Sequence, residues 1–151
     1  MEFRPIGFVK SGFKKPAELI FACEKGLLAE TRSSVVIDEE FSGGLRGLKK
    51  FSHAFIIYNL HKARGVEMIT HPGPPSISLP KVGVFASRSQ KRPNKIALRL
   101  VEITGVKGNV LDVRGLDAIN GSPVLDIKPY VPGFDRPGKF KNAPWYNWLD
   151  R

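Results

Sequence analysis

Two short stretches of this chain concentrate side chains that could recognise or transform a ligand. The first is GVFASRSQKRPNK, Gly83 to Lys95, where Arg88, Lys91, Arg92 and Lys95 crowd around Asn94. Pro93 stiffens the backbone between Arg92 and Asn94, so their donors are held in place, as phosphate or base recognition requires. A solvated hairpin end with scattered charge is the plainer reading of the same residues. The second stretch is GLDAINGSPVLDIKPY, Gly115 to Tyr130. Asn120-Gly121 reads as a tight turn and Pro123 opens the strand after it. Asp117, Asn120 and Asp126 gather oxygen acceptors there, which would suit a cationic or amine-bearing ligand.

Other chemistries find no support. His53, His61 and His71 lack metal-ligand spacing, and the single Cys23 gives them no thiolate helpers, so no metal site is expected. His53 lies inside an apolar run and reads as a core residue, whereas His61 closes that run beside Lys62. SGGLRG, Ser42 to Gly47, has the wrong spacing for a dinucleotide fingerprint, and no phosphate-cradling loop is present. A nucleophile with its own general base cannot be picked out.

The elements that must position these residues are short. The chain has 15 Gly and 12 Pro, and the runs between them favour β-branched and aromatic residues, the pattern of a mostly-β domain. Strands are expected over Phe3–Val9, Ser34–Asp38, Phe51–His61, Val82–Ala86, Ile96–Val106, Val110–Arg114 and Val124–Ile127. Pro16 starts a short helix that Gly26 stops. Phe51–His61 is so apolar that burial on both faces is expected, with Val66–Thr70 as a possible pairing partner. Along Ile96–Val106 the apolar parity changes between Leu100 and Val101, which implies a bulge or two buried faces. In Val110–Arg114, Leu111 and Val113 point inward; in the last strand Leu125 and Ile127 are opposed to Asp126 and Lys128. So many short strands leave edges that are best removed by closure, and the expected fold is a single small closed β-barrel with one or two short helices. The barrel domain is expected over residues 1–135, with an aromatic tail, 136–151, packed on it. Trp145, Tyr146 and Trp148 in that tail could stack bases, but capping a core or interface is the preferred reading.

The chain has 151 residues, enough for one self-sufficient core. Its net charge of +10 favours a polyanionic partner, because cations on a protein release counterions from phosphates. No apolar run reaches the length of a membrane span, and MEFRPIGFVKSG does not read as a secretory signal, so a cytoplasmic protein is expected.

Three blocks, LKKFSHAFIIYNLHK, GVFASRSQKRPNKIALRLVEI and GLDAINGSPVLDIKPYVP, together resemble the TsaA-like family, also called TrmO. The resemblance implies a tRNA methyltransferase that moves a methyl group from S-adenosylmethionine to N6 of the threonylcarbamoyladenosine following the anticodon. It implies a β-barrel and a homodimer with the cofactor near the subunit interface. It also implies cofactor contacts at His61, Lys62, Arg88, Leu98, Leu116, Asp117, Ala118 and Ile119. Lys91, Arg92, Asn94 and Lys95 would then hold the anticodon-loop backbone, and Asp117 or Asp126 would accept the amine proton, with the Asn120 carbonyl as a third candidate. The family's P-R-Q element is replaced here by FACEKG, Phe21 to Gly26, and its P-I-G after RPN by Lys95-Ile96-Ala97. The additional C-terminal domain of longer bacterial members has no counterpart among these blocks. The alternatives are a non-catalytic RNA-binding barrel and a methyltransferase of the same fold with another substrate.

Overall fold

The computed structural model describes residues 1–150. The strands are β1 (Gly7–Lys10), β2 (Arg32–Ile37), β3 (His53–Asn59), β4 (Ile69–Thr70), β5 (Val82–Gly83), β6 (Ile96–Lys107), β7 (Val110–Arg114) and β8 (Pro123–Pro129). The α-helices are α1 (Pro16–Glu24) and α2 (Pro132–Asp135). Contacts divide the chain into two units: Met1–Lys62 with Ile96–Tyr130, and Ala63–Lys95 with the residues from Val131 onward.

The first unit is a closed barrel in the order β1-β2-β7-β6-β3-β8, with every neighbouring pair antiparallel. Alternation builds it. Val35 and Ile37 on β2, Ala54, Ile56 and Tyr58 on β3, and Leu111 and Val113 on β7 all turn into one core. Closure demands a close approach at Gly7, where a Cβ atom would lie 2.1 Å from the Val36 carbonyl oxygen. β6 is bulged, but at Thr104 and not at the parity change: Ile103 pairs with Val113 and Gly105 with Asp112, while Ile96, Leu98 and Leu100 lie exposed on the outer face. The helix also obeys its signals. Pro16 opens it, the Glu18 carboxylate accepts from the Lys14 and Lys15 N–H groups, and Gly26 ends the turn beyond it with φ +67°. Those two backbone bonds hold the Glu18 carboxyl below its usual range.

Several expectations are corrected. β1 begins at Gly7, well inside Phe3–Val9. β3 is buried on one face only, because a small barrel has one interior; Phe55 and Ile57 are half-buried outside, Phe55 against the Tyr130 ring at 6.1 Å. His53 is half-buried rather than a core residue, its Nδ1 2.8 Å from Ser52 Oγ. On β8, Ile57 pairs with Asp126 but Tyr58 with Val124, so Leu125 is an extra residue. That bulge flips the phase: Val124 is fully buried and Ile127 packs on the core, while Leu125 is displaced from the inward set.

The second unit has little regular structure. Residues from Val66 do not pair with β3; instead Ile69 pairs with Gly83 and Thr70 with Val82. The expected strand Val82–Ala86 is strand for two residues and then a 3-10 turn, Val84–Ala86. Val84 is buried there and Phe85 is 75% exposed. A second 3-10 segment, Pro144–Asp150, comes after α2. No helix among the described residues is long and apolar enough to cross a membrane.

Candidate functional site

In the barrel unit, chemistry collects where β7 hands the chain to β8. Leu116 and Ala118 are fully buried in the main core, and Ile119 joins a smaller cluster with Leu19, Ala22 and Leu28. Leu116 and Ala118 are closed off as a whole, backbone included, so Asp117 between them is the part of the segment that reaches the surface. The Asp117 side chain is 35% exposed. Tyr58, rising from the core, donates its hydroxyl to Asp117 Oδ1 at 2.8 Å and contacts the Asp117 carbonyl at 3.1 Å. Arg99 Nη1 stands 4.0 Å from Asp117 Oδ2, and Arg99 Nε donates to the Gly115 carbonyl at 2.9 Å. From the other side, Ser11 Oγ donates to the Ala118 carbonyl at 2.8 Å and Ser11 N to Asn120 Oδ1 at 3.1 Å. The N–H groups of Leu116, Asp117 and Ala118 find no acceptor among the described residues. Of these, the Asp117 N–H and the oriented carboxylate beside it belong to a half-buried residue and fit a ligand with an acceptor and a positive charge.

His61 and Lys62 join this end of the barrel. His61 Nδ1 lies 3.3 Å from Ser122 Oγ, and that hydroxyl directs its own proton to the Ile119 carbonyl at 2.7 Å. Lys62 Nζ donates to the Lys14 carbonyl at 3.1 Å, tying the end of β3 to the start of α1. Leu98 is on β6, opposite Ile57 and 44% exposed on the outer wall. FACEKG forms the second half of α1 and the turn that ends it. Its Ala22 packs with Ile119, and burial pushes the Cys23 thiol up, with Asp117 adding to the rise and Arg99 opposing it. Asp126 is elsewhere: it faces Ile57 in register, accepts from its neighbour Ile127 N at 2.9 Å, and pairs with Lys128 at 3.0 Å. Among the described residues Asp117 and Asp126 share no hydrogen-bond or ion-pair partner.

The supporting residues Tyr58, Arg99, Ser11 and Ser122 do not stand out in the sequence. Arg99 carries a legible signal all the same, since a cation sharing parity with the inward Ala97 and Val101 needs an acceptor at the barrel end.

In the second unit the cationic loop is organised by its own charges. Arg92 Nη1 donates to the carbonyls of Ser87 and Ser89, both at 3.1 Å. Lys95 Nζ donates to the Arg92 carbonyl at 2.9 Å and to the Gly65 carbonyl. Lys91 pairs with Glu67, whose carboxyl that hydrogen bond holds below its usual range. Buried Ser87 supports the turn by accepting from Ser89 N at 3.2 Å. The tail closes on the same loop: Arg88 N donates to the Tyr146 hydroxyl at 2.7 Å and Trp145 Nε1 to the Ala86 carbonyl at 3.1 Å. These two aromatics act as caps. Arg88 and Asn94 are exposed. The described residues hold no cluster of potential metal ligands.

Comparison with known proteins places these features in a family context. Residues 9–136 match the family of the tRNA-methyltransferase O N-terminal domain. A probable S-adenosyl-L-methionine-binding protein of Methanothermobacter thermautotrophicus is 40% identical over 139 residues, covering 91% of this chain and 96% of that protein. The rat tRNA (adenine(37)-N6)-methyltransferase is 36% identical over 137 residues, covering 88% of this chain but 31% of that enzyme. The crystal structure of TrmO from Pseudomonas aeruginosa superposes with a TM-score of 0.74 at 32% identity, covering 95% of this chain and 62% of that one.

Proposed function

The chain belongs to the family of the tRNA-methyltransferase O N-terminal domain, and from that premise we propose that it binds S-adenosylmethionine and methylates N6 of the threonylcarbamoyladenosine beside the tRNA anticodon. The observation that carries the reading is Asp117, half-buried between Leu116 and Ala118, with its N–H unmatched and its carboxylate held by Tyr58 and Arg99. That N–H suits an acceptor of an adenine ring or a carboxylate, and the carboxylate suits a neighbouring positive charge. Bound there, S-adenosylmethionine supplies an electrophilic methyl group on a sulfonium whose departing thioether needs no proton.

The work left to the protein is alignment and proton acceptance. The exocyclic nitrogen of an adenine derivative is a poor nucleophile because its lone pair is delocalised into the ring. An acceptor that hydrogen-bonds the amine draws it toward pyramidal geometry and then receives its proton. Asp117 is assigned that role; the bonds from Asp126 to Lys128 and Ile127 make it the weaker choice. In the second unit Lys91 and Asn94 present donors to an RNA backbone. Arg92 and Lys95 keep the loop in shape for them, which makes these two positioning residues. A homodimer is part of the proposal, supported by the apolar stripe Ile96, Leu98 and Leu100, each 39–44% exposed along the outer face of β6. Leu100→Glu is expected to yield a monomer by analytical ultracentrifugation. A cytoplasmic location accords with the proposed substrate.

Transfer of tritium from methyl-labelled S-adenosylmethionine to tRNA carrying threonylcarbamoyladenosine tests the reading. Label in that nucleoside is the expected result, lost in Asp117→Asn. Cofactor binding without label would instead favour another methyl acceptor. That second reading is supported by the relative of matching length, whose name specifies S-adenosyl-L-methionine binding alone. No cofactor binding at all would overturn both and leave an RNA-binding barrel.

A further inference from the structure

A cleft lies at the other end of the barrel strands from the Gly115–Ser122 segment. β1 pairs with β8 only through Gly7–Val124 and Phe8–Pro123, so Asp126 to Pro129 run on with no strand beside them on that side. The 3-10 segments Glu39–Leu45 and Leu48–Lys50 cover this seam incompletely and leave a cavity of about 610 Å³. Ile37, Leu45, Leu48 and Ile127 contribute apolar lining, and Phe41 and Phe51 add two rings. Arg46 and Lys50 also line the cleft, and neither forms an ion pair among the described residues. The acid in the lining, Asp126, is already matched by Lys128. Glu40, next to Phe41, is matched by Arg4, which also stands over the Phe41 ring at 5.1 Å. The cleft therefore combines flat apolar walls with two uncompensated positive charges.

We infer that this cleft binds a nucleotide, the base against the phenylalanine rings and the phosphate on Arg46 and Lys50. Phenyl faces accept any base because every base presents a π-face, and the cations need an anion at the edge of the ring system. The volume lies within the range of small-ligand sites. A free nucleoside monophosphate and an unpaired nucleotide of an RNA strand carry the same chemistry. The inference stands apart from the methyl-transfer reading and holds whether or not that reading does.

Gly44 supplies a clean block. It lines the cleft, its φ is not in the left-handed region, and a Cβ atom there meets nothing within 4 Å. Gly44→Leu should fill the cleft without disturbing the barrel. The full chain, labelled for amide NMR, is titrated with adenosine 5′-monophosphate, adenosine and a short oligoadenylate. The expected result is saturable shifts at residues 44–51 and 126–129, with adenosine about tenfold weaker than the monophosphate because the charge-assisted phosphate contact is lost. Gly44→Leu and the double variant Arg46→Ala/Lys50→Ala should each weaken the monophosphate about tenfold or more. Equal affinity for monophosphate and oligoadenylate identifies a free nucleotide. Tighter oligoadenylate binding with a steeper salt dependence identifies an RNA strand. Shifts confined to residues 115–122, no saturable shifts with any probe, or undiminished binding by Gly44→Leu would overturn the inference.

Discussion

The two units of this chain reach a fixed conformation by different physics. In the barrel each strand has a neighbour on both sides, and Val35, Ile56, Leu111 and Val113 are excluded from water altogether. The second unit has one two-residue ladder, and its cationic loop is held by side chains bonding to backbone: Arg92 and Lys95 to carbonyls, Ser87 to its own turn, Trp145 and Tyr146 to Ala86 and Arg88. Apolar burial fixes Asp117 through the residues on either side of it. Hydrogen bonding fixes the loop that carries Lys91 and Asn94. The difference teaches that a charge-rich loop can be preorganised without a core, provided some of its charges are turned inward.

The contrast can be broken by substitution. Leu111→Ala should cost the most, about 2–5 kcal/mol, since it opens a cavity in a core with no slack; chemical denaturation measures it. Arg92→Ala should remove about 1–2 kcal/mol of local stability, the worth of hydrogen bonds from a charged donor. Hydrogen exchange should then show lost protection in residues 83–95 with barrel amides unchanged. A fall in the barrel's own midpoint comparable to that of Leu111→Ala would mean the two regions are not distinct in this way. Tyr58→Phe removes one buried hydroxyl bond, about 1 kcal/mol, and by loosening Asp117 should slow methyl transfer about tenfold while cofactor affinity changes little.

Cys23 gives the smallest and sharpest effect, because its alkylation reads the local charge directly. Burial keeps its thiol protonated above the ordinary thiol range, so alkylation by iodoacetamide should be slow at neutral pH and rise only at alkaline pH. Asp117 disfavours the thiolate and Arg99 favours it. Asp117→Asn should therefore shift the alkylation profile to lower pH, and Arg99→Gln to higher pH. Shifts in the reverse directions would show that the two charges are not arranged around the thiol as described.

Much of the barrel is legible in the residues. The bulge in β6 is only half legible: the parity change between Leu100 and Val101 calls for an irregularity, but Ile96, Leu98 and Leu100 line the outer face and the extra residue is Thr104. The bulge in β8 is not legible, because Leu125 and Ile127 alternate regularly with Asp126 and Lys128 and give no sign of an extra residue; it is set by pairing with β3. The pairing of β4 with β5 is hidden for a related reason. Two-residue ladders carry too little pattern to name their partner, so nothing in Val66–Thr70 tells β5 from β3. In the loop, the sequence shows which cations are close together but not which of them turn inward.

What the sequence by itself determined is therefore the closed, mostly-β architecture, the helix between Pro16 and Gly26, and the two stretches where chemistry concentrates. Those arise from periodicity, punctuation and composition, which are local. Tertiary structure alone decided that Tyr58 and Arg99 orient Asp117, that Asp126 stands apart from it, and that Arg92 bonds to its own loop. Each depends on contacts between residues far apart in the chain, or on the direction a side chain takes once its neighbours are in place. A hydrogen bond is short-ranged and directional, so no pattern of residue types specifies it before the backbone has closed.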